Sequence, residues 1–373
     1  MSLKIAIFCH SLVSDWNHGN AHFLRGIVQE LKARDYDVRV FEPQNAWSRE
    51  NLERDHGQAA VRAFRRAFPN LSSIRYTKEP DFEGELDGTD LILVHEWNEP
   101  SIVASLGAYR KRHPGTRLFF HDTHHRAITA PEELSRFDLS AFDGVLAYGE
   151  SLRQAYQRLG WGKQVYVWHE AADIRTFHPL PSPGKIGDLV WIGNWGDEER
   201  TEELREYFIG PSCDLNLKAV AFGVRYPISA IAELEEANIA YDGWVANHKV
   251  PEVFARFRVT IHVPRRPYTQ QLPGIPTIRP FEALACGIPL VSAPWNDNEG
   301  LFRIGRDFLI APSREQMGSC LRDVLHDQSL AQSLAESGLQ TIRNRHTCGH
   351  RVDELLSIFH QCAPAIREEE VYS

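Results

Sequence analysis

The sequence predicts an α/β protein built as two doubly wound parallel sheets that face each other across a cleft. Three observations lead there. Short apolar runs alternate with helical segments along nearly the whole chain, and a Pro/Gly-rich break interrupts that alternation near the middle. The 373 residues also exceed what one ordinary hydrophobic core supports.

Residues 5–8 (IAIF) read as a strand buried on both faces, and Phe23, Leu24, Ile27, Val28 and Leu31 recur at helical spacing after it. Residues 38–41 form the next strand, followed by an amphipathic helix over 59–68 that starts at Asp55 or Gly57. Strands at 91–94, 118–120, 145–147 and 165–167 alternate with helices near 101–112 and 150–159. The segment HPLPSPGKIG at 178–187 is the break. Beyond it, strands at 189–192, 217–221, 239–241, 259–263, 290–291 and 308–310 alternate with helices near 198–207, 228–237, 251–257, 277–285 and 314–325. Helices at 330–344 and 350–362 complete the chain. The reading is a first domain over 1–179, a linker over 180–187 and a second domain over 188–349, with helix 350–362 free to pack back on the first domain.

A composition of 43% hydrophobic and 24% charged residues suits a soluble globular protein. The net charge of −9 and the lack of a Lys/Arg cluster argue against a nucleic-acid partner. The apolar run after Lys4 is too short for a membrane span or signal core, so the expected location is cytoplasmic, with no integral membrane segment. No feature fixes an oligomeric state. Six scattered cysteines offer no zinc-ligand spacing, and His121, His124 and His125 match no helical metal motif, so no metal is expected. The first strand lacks a G-x-G-x-x-G turn, which removes the best signature of a hydride-transfer enzyme.

Two groups of residues carry chemistry. The stretch PGIPTIRPFEALACGIPLVS at 273–292 is a rigid loop, a short helix carrying Glu282 and a following strand. The helix start supplies unpaired N–H groups and partial positive charge, fit for an anion such as a diphosphate, with Glu282 free to accept from hydroxyls. In the first half, polar residues gather where strands end: His95-Glu96, His121-Asp122, and Trp168-His169-Glu170 with Asp173. Ligands of such sheets bind beyond these ends. If a general base is needed, His121 and Asp122 come first and His95 and Glu96 next.

FEALACGIPLVSA at 281–293 resembles the donor-site signature of the family 1/family 4 type glycosyltransferases. WHEAADIRTFHP at 168–179 and LVWIGNWGDEERTEEL at 189–204 look like the close of their first domain and the opening of their second. The arginine of RPFEALACG, GWV at 243–245 and LFRIGRDFLIAP at 301–312 are most similar to the spore-coat (CgeB-type) glycosyltransferase-like branch.

The resemblance implies the GT-B fold, two Rossmann-like domains with the acceptor on the first and a nucleoside-diphosphate sugar, such as a UDP-sugar, on the second. It also implies glycosyl transfer without metal or other cofactor. Glu282 would hold the ribose, Arg200 the diphosphate, the loop Gly193-Asn194 the ligand's approach, and Trp244 with Val245 the nucleobase. Thr277, Ile278, Arg279 and Arg265 would border the diphosphate, and Gly19 and Asn20, opening the first helix of the first domain, would face either the diphosphate or the acceptor across the cleft. Retaining family 4 members carry two glutamates seven residues apart; Glu282 matches the second, while Gly274 stands in place of the first. Stereochemistry is therefore open, and a UDP-sugar 2-epimerase or a non-catalytic nucleotide-sugar-binding module are the alternatives.

Overall fold

The computed structural model describes residues 2–14, 20–77, 81–181, 184–196 and 198–362. The first domain holds seven parallel strands: β1 (Lys4–Phe8), β2 (Asp37–Pro43), β3 (Ile74–Tyr76), β4 (Leu91–His95), β5 (Arg117–Asp122), β6 (Gly144–Ala147) and β7 (Val165–Val167). Their order is β3-β2-β1-β4-β5-β6-β7. Ile5 pairs with Val38 on one side and Leu91 on the other, which makes β1 central. Its apolar residues are buried on both faces, as a strand covered by helices above and below requires.

The second domain repeats the plan with β8 (Gly187–Ile192), β9 (Ala219–Phe222), β10 (Ala240–Gly243), β11 (Phe257–His262), β12 (Leu290–Ser292) and β13 (Leu309–Ile310), ordered β10-β9-β8-β11-β12-β13. All its ladders are parallel. In each sheet the strand order reverses beside the first strand, between β1 and β4 and between β8 and β11. Crevices for ligands form outside the strand ends at those two places.

Five helices matter for the site: α1 (Asn20–Ala33), α2 (Trp47–Ala67), α3 (Glu150–Leu159), α4 (Ile278–Ala285) and α5 (Cys348–Cys362). The expected helix over 59–68 is the second half of α2. Gly57, at φ 66° and ψ −179°, breaks its helical path, which is why only the part beyond it reads as continuous. The expected helix over 198–207 begins at Thr201 and widens into a π-type turn at Arg205–Ile209. Strand β3 is an edge strand with Ile74 and Arg75 exposed, and so lacks an apolar run.

Helix α5 leaves the second domain and enters the core of the first, where Val352, Leu355 and Ile358 join Ile5, Ile7 and Leu24. The Trp168 indole N–H donates to the Arg351 carbonyl at 2.8 Å. The domains also touch through Glu299, which accepts from the Glu150 backbone N–H at the start of α3 (2.9 Å) and lies 2.8 Å from His169 Nε2. Among the described residues, no helix is long and apolar enough to cross a membrane.

Candidate active site

A cavity of about 560 Å³ lies between the domains. From the second domain it is lined by the segment 191–196 at the end of β8, by Arg200, Val224, Arg225, His262, Pro264, Arg265 and Tyr268, and by Thr277, Ile278 and Arg279 at the start of α4. The first domain contributes Trp47, Trp97, Thr123, His124, Tyr148 and Glu170. The cavity sits at the β8/β11 reversal, where a parallel sheet leaves a crevice.

Arg200 is folded back over the β8 loop. Its guanidinium donates to the carbonyls of Asn194 (2.6 Å) and Val263 (3.1 Å) and lies 5.1 Å from the Trp191 ring centroid. Gly196 permits this: its φ is 98°, and a Cβ there would meet the Arg200 side chain at 2.7 Å. Burial first, then repulsion from Arg265, brings the Arg200 pKa down to about 9. Among the described residues no carboxylate forms an ion pair with Arg200. Its Nε, buried, has no hydrogen-bond partner there. Arg265 pairs with Glu199 at 3.0 Å, and Arg225 reaches Asp55 of α2 at 3.4 Å across the cleft. Four arginines line the cavity; Arg265, Arg225 and Arg279 are paired with carboxylates, so the charge offered to an anion centres on Arg200.

Of the residues expected to bind the donor, Gly193, Asn194, Arg200, Arg265, Thr277, Ile278 and Arg279 line this cavity. Glu282, Trp244, Val245 and Gly274 stand outside its lining. Glu282 is wholly buried in α4: His22 Nδ1 of α1 lies 3.1 Å from Oε1, Asn247 Nδ2 donates to the same oxygen at 3.2 Å, and Arg279 pairs with Oε2. Trp244 stacks on His56 of α2 with ring centroids 4.0 Å apart, and Val245 packs with the core beneath α4. Gly274 has φ 94°, in the left-handed region. A side chain at that position would be strained. Gly19 lies outside the described residues, and Asn20 is the first residue of α1.

The proposed base residues also sit deeper than expected. β5 runs on to Asp122 and β4 to His95, so His95 and His121 are ladder partners rather than loop residues. His121 is packed between Phe23, His95 and Trp168, with neither ring nitrogen hydrogen-bonded among the described residues. Asp122 accepts from the Tyr156 hydroxyl at 2.8 Å and the His124 N–H at 2.9 Å. Burial, with the nearby Glu96 charge, raises its pKa well above the usual carboxylate range. The rim begins one step later, at Thr123 and His124. Glu96 lines a second cavity, in the first domain.

Residues not singled out from the sequence as donor ligands include Glu170, His262, Tyr148 and Tyr268. Glu170 was visible as a strand-end acid, but His262, last in β11, gave no signal. Among the described residues, no group of three or more metal-ligating side chains comes together.

The buried imidazole of His121 carries a definite expectation. Burial lowers its pKa to about 3, so the ring is neutral. His121→Leu removes two unsatisfied buried nitrogens at similar volume. The variant should be as stable as the parent or up to about 2 kcal/mol more stable in urea unfolding, with ligand binding unchanged.

A second expectation concerns pH. Burial brings His10, His22 and His248 down to about 4, and His121, His262 and His346 to about 3. A histidine depressed by folding contributes stability that is full above about pH 6.5 and lost as pH falls through the folded value. Glu170, raised to about 8, and the raised Asp122, Asp173 and Glu354 act oppositely but are fewer. The urea midpoint should therefore fall steadily from pH 6.5 to 4, at about 1.4 kcal/mol per pH unit for each net proton taken up. A flat profile would refute it.

Residues 200–357 match the family model described as Glycosyl transferase-like. A search of curated proteins returned no match. Among solved structures, the chain is similar to sucrose-phosphate synthase from Thermosynechococcus elongatus, at 13% identity and TM-score 0.61 over 96% of this chain and 98% of that one. It is likewise similar to Anabaena HepE in complex with UDP, at 13% identity and TM-score 0.66 over 96% of this chain and 100% of that one. A third likeness is to an alpha-glucosyltransferase in complex with UDP and a 13-mer DNA, at 14% identity and TM-score 0.67 over 96% and 100%. Together these solved structures show the fold, the GT-B arrangement of two Rossmann-like domains around a cleft. The glycosyltransferase-like sequence pattern lies in its second half.

Proposed function

We propose that the protein is a glycosyltransferase that moves a sugar from a nucleoside-diphosphate donor, UDP-linked by analogy with HepE and the alpha-glucosyltransferase, to an acceptor hydroxyl. The observation that carries the reading is Arg200, a cation with no carboxylate partner among the described residues, beside Arg265, Arg279 and the glycine loop at 193–196 in one cavity. The departing diphosphate needs its charge neutralised, and arginines with backbone N–H groups do this without a metal ion.

The acceptor side is a second cavity of about 660 Å³ in the first domain, which shares Trp47 and Trp97 with the donor cavity. Glu96 lies in its wall, accepting from the Thr123 N–H at 3.0 Å and paired with Arg126 at 2.8 Å. A carboxylate there is placed to accept a hydroxyl proton if the reaction inverts. Polar groups (Asn98, Glu99, Arg136) beside the two indoles suit an acceptor that carries hydroxyls, such as a glycan.

The test is a thermal-shift screen of nucleoside diphosphates and their sugars, followed by release of UDP from UDP-glucose with and without candidate acceptors. Selective stabilisation by UDP and acceptor-dependent release are expected. No shift with any nucleotide would overturn the reading, and release that needs no acceptor would point to an isomerase or hydrolase.

A further inference from the structure

We propose that Glu170 and His262 bind the hydroxyls of the transferred sugar, forming the end of the donor cavity that selects one nucleotide sugar over another. The inference rests on the donor reading above.

The two residues come from opposite domains and line the same cavity, Glu170 three residues beyond β7 and His262 as the last residue of β11. His262 is buried, and its tautomer follows from its neighbours. Nδ1 lies 3.0 Å from Ser292 Oγ, and that hydroxyl's own proton is directed to the Ala293 carbonyl at 2.8 Å. With the hydroxyl proton on the Ala293 carbonyl, Nδ1 carries the ring proton and donates to Ser292, which leaves a lone pair on Nε2. Nε2 is buried and without a partner among the described residues. A buried acceptor left open in a cavity wall costs free energy until a donor arrives, and a hydroxyl supplies one.

Glu170 provides the complementary group. It is buried, and burial together with the Glu282 charge raises its pKa to about 8, partly offset by Arg279 and the Ile278 backbone N–H. A neutral carboxyl both donates and accepts, as a sugar hydroxyl does. The division of labour within the cavity follows charge. Phosphate oxygens only accept, so they belong with Arg200 and Arg265, whereas an imidazole lone pair repels phosphate and needs a donor. A site that hydrogen-bonds hydroxyls with buried polar groups also discriminates strongly against analogues that lack them.

The test measures by calorimetry the affinity of UDP, GDP and ADP and of their glucose, galactose and N-acetylglucosamine conjugates for the parent and for Glu170→Ala, Glu170→Gln and His262→Leu. In the parent, one nucleotide should bind, and one of its sugars should bind more tightly than the nucleotide alone. In Glu170→Ala and His262→Leu that preferred sugar nucleotide should weaken at least tenfold while the bare nucleotide stays within twofold. Glu170→Gln, which keeps a donor and an acceptor, should stay within threefold for both. Equal weakening of nucleotide and sugar nucleotide would overturn the proposal, because the residues would then serve the nucleotide end. Unchanged affinity for both would overturn it as well. A Glu170→Gln as weak as Glu170→Ala would overturn the neutral-carboxyl role. Failure of the parent to bind any nucleotide would overturn the donor reading itself, and the proposal with it, and is told apart by being seen without mutation.

Discussion

Arg200→Met is expected to weaken nucleoside-diphosphate binding by roughly 10- to 100-fold, the loss of a charge-assisted hydrogen bond worth about 1.5–3 kcal/mol. Methionine keeps most of the stem that lies against Trp191 and Gly196, so packing is largely spared. Two main-chain carbonyls, of Asn194 and Val263, lose their donor. Against that, the fold no longer buries a guanidinium whose pKa burial has already pulled down to about 9. Stability should thus change by less than about 1 kcal/mol. Calorimetry with UDP and urea unfolding on the same protein separate the two effects. Full affinity in a folded Arg200→Met would remove Arg200 from the donor site.

The largest stability effect is expected at Glu282. Its carboxylate joins α1 to α4 through His22, holds Asn247 and pairs with Arg279, all at a buried position. His22 has a pKa near 4 and is neutral, so its contact is a hydrogen bond; Arg279 supplies the ion pair. Glu282→Ala leaves Arg279 without that counter-charge and an imidazole without its acceptor, a loss of about 3–5 kcal/mol. Glu282→Gln keeps the hydrogen-bonding shape and should lose less than half as much. Glu282 is held below its ordinary pKa, Arg279 and His22 outweighing burial. Its contribution is therefore present above about pH 4.5 and fades as pH falls through the folded value. Urea unfolding of both variants at pH 7 checks the ordering, and a Glu282→Ala as stable as the parent would show that the network contributes nothing.

The sequence made the two-sheet architecture legible because buried parallel strands must be continuously apolar, and IAIF, LILV and LFF are. It also marked the loop-helix-strand at 273–292, since a proline-bounded loop, a short helix and a glycine stop are local signals. What escaped it was depth and distance. His95 and His121 follow their apolar runs without a break, and only the ladder shows that they belong to the strands. The rim therefore falls at Thr123 and His124. The pairing of His22 with Glu282 spans 260 residues, and no local pattern encodes it. His262 reads as one more strand residue until the β8/β11 reversal places it at the cavity. β3 was missed because an exposed edge needs no apolar alternation.

The return of α5 into the first domain means that the chain passes between the domains twice. The two passages run side by side: the Ala172 N–H donates to the His346 carbonyl and the Cys348 N–H to the Ala172 carbonyl, each at 3.0 Å. Two chain crossings pinned together by one isolated bridge have the geometry of a single pivot. Sliding of one domain along the other would tear that bridge, whereas rotation about it preserves both bonds. A rotation that parted the domains would separate His22, His56 and Asp55 from Glu282, Trp244 and Arg225 together.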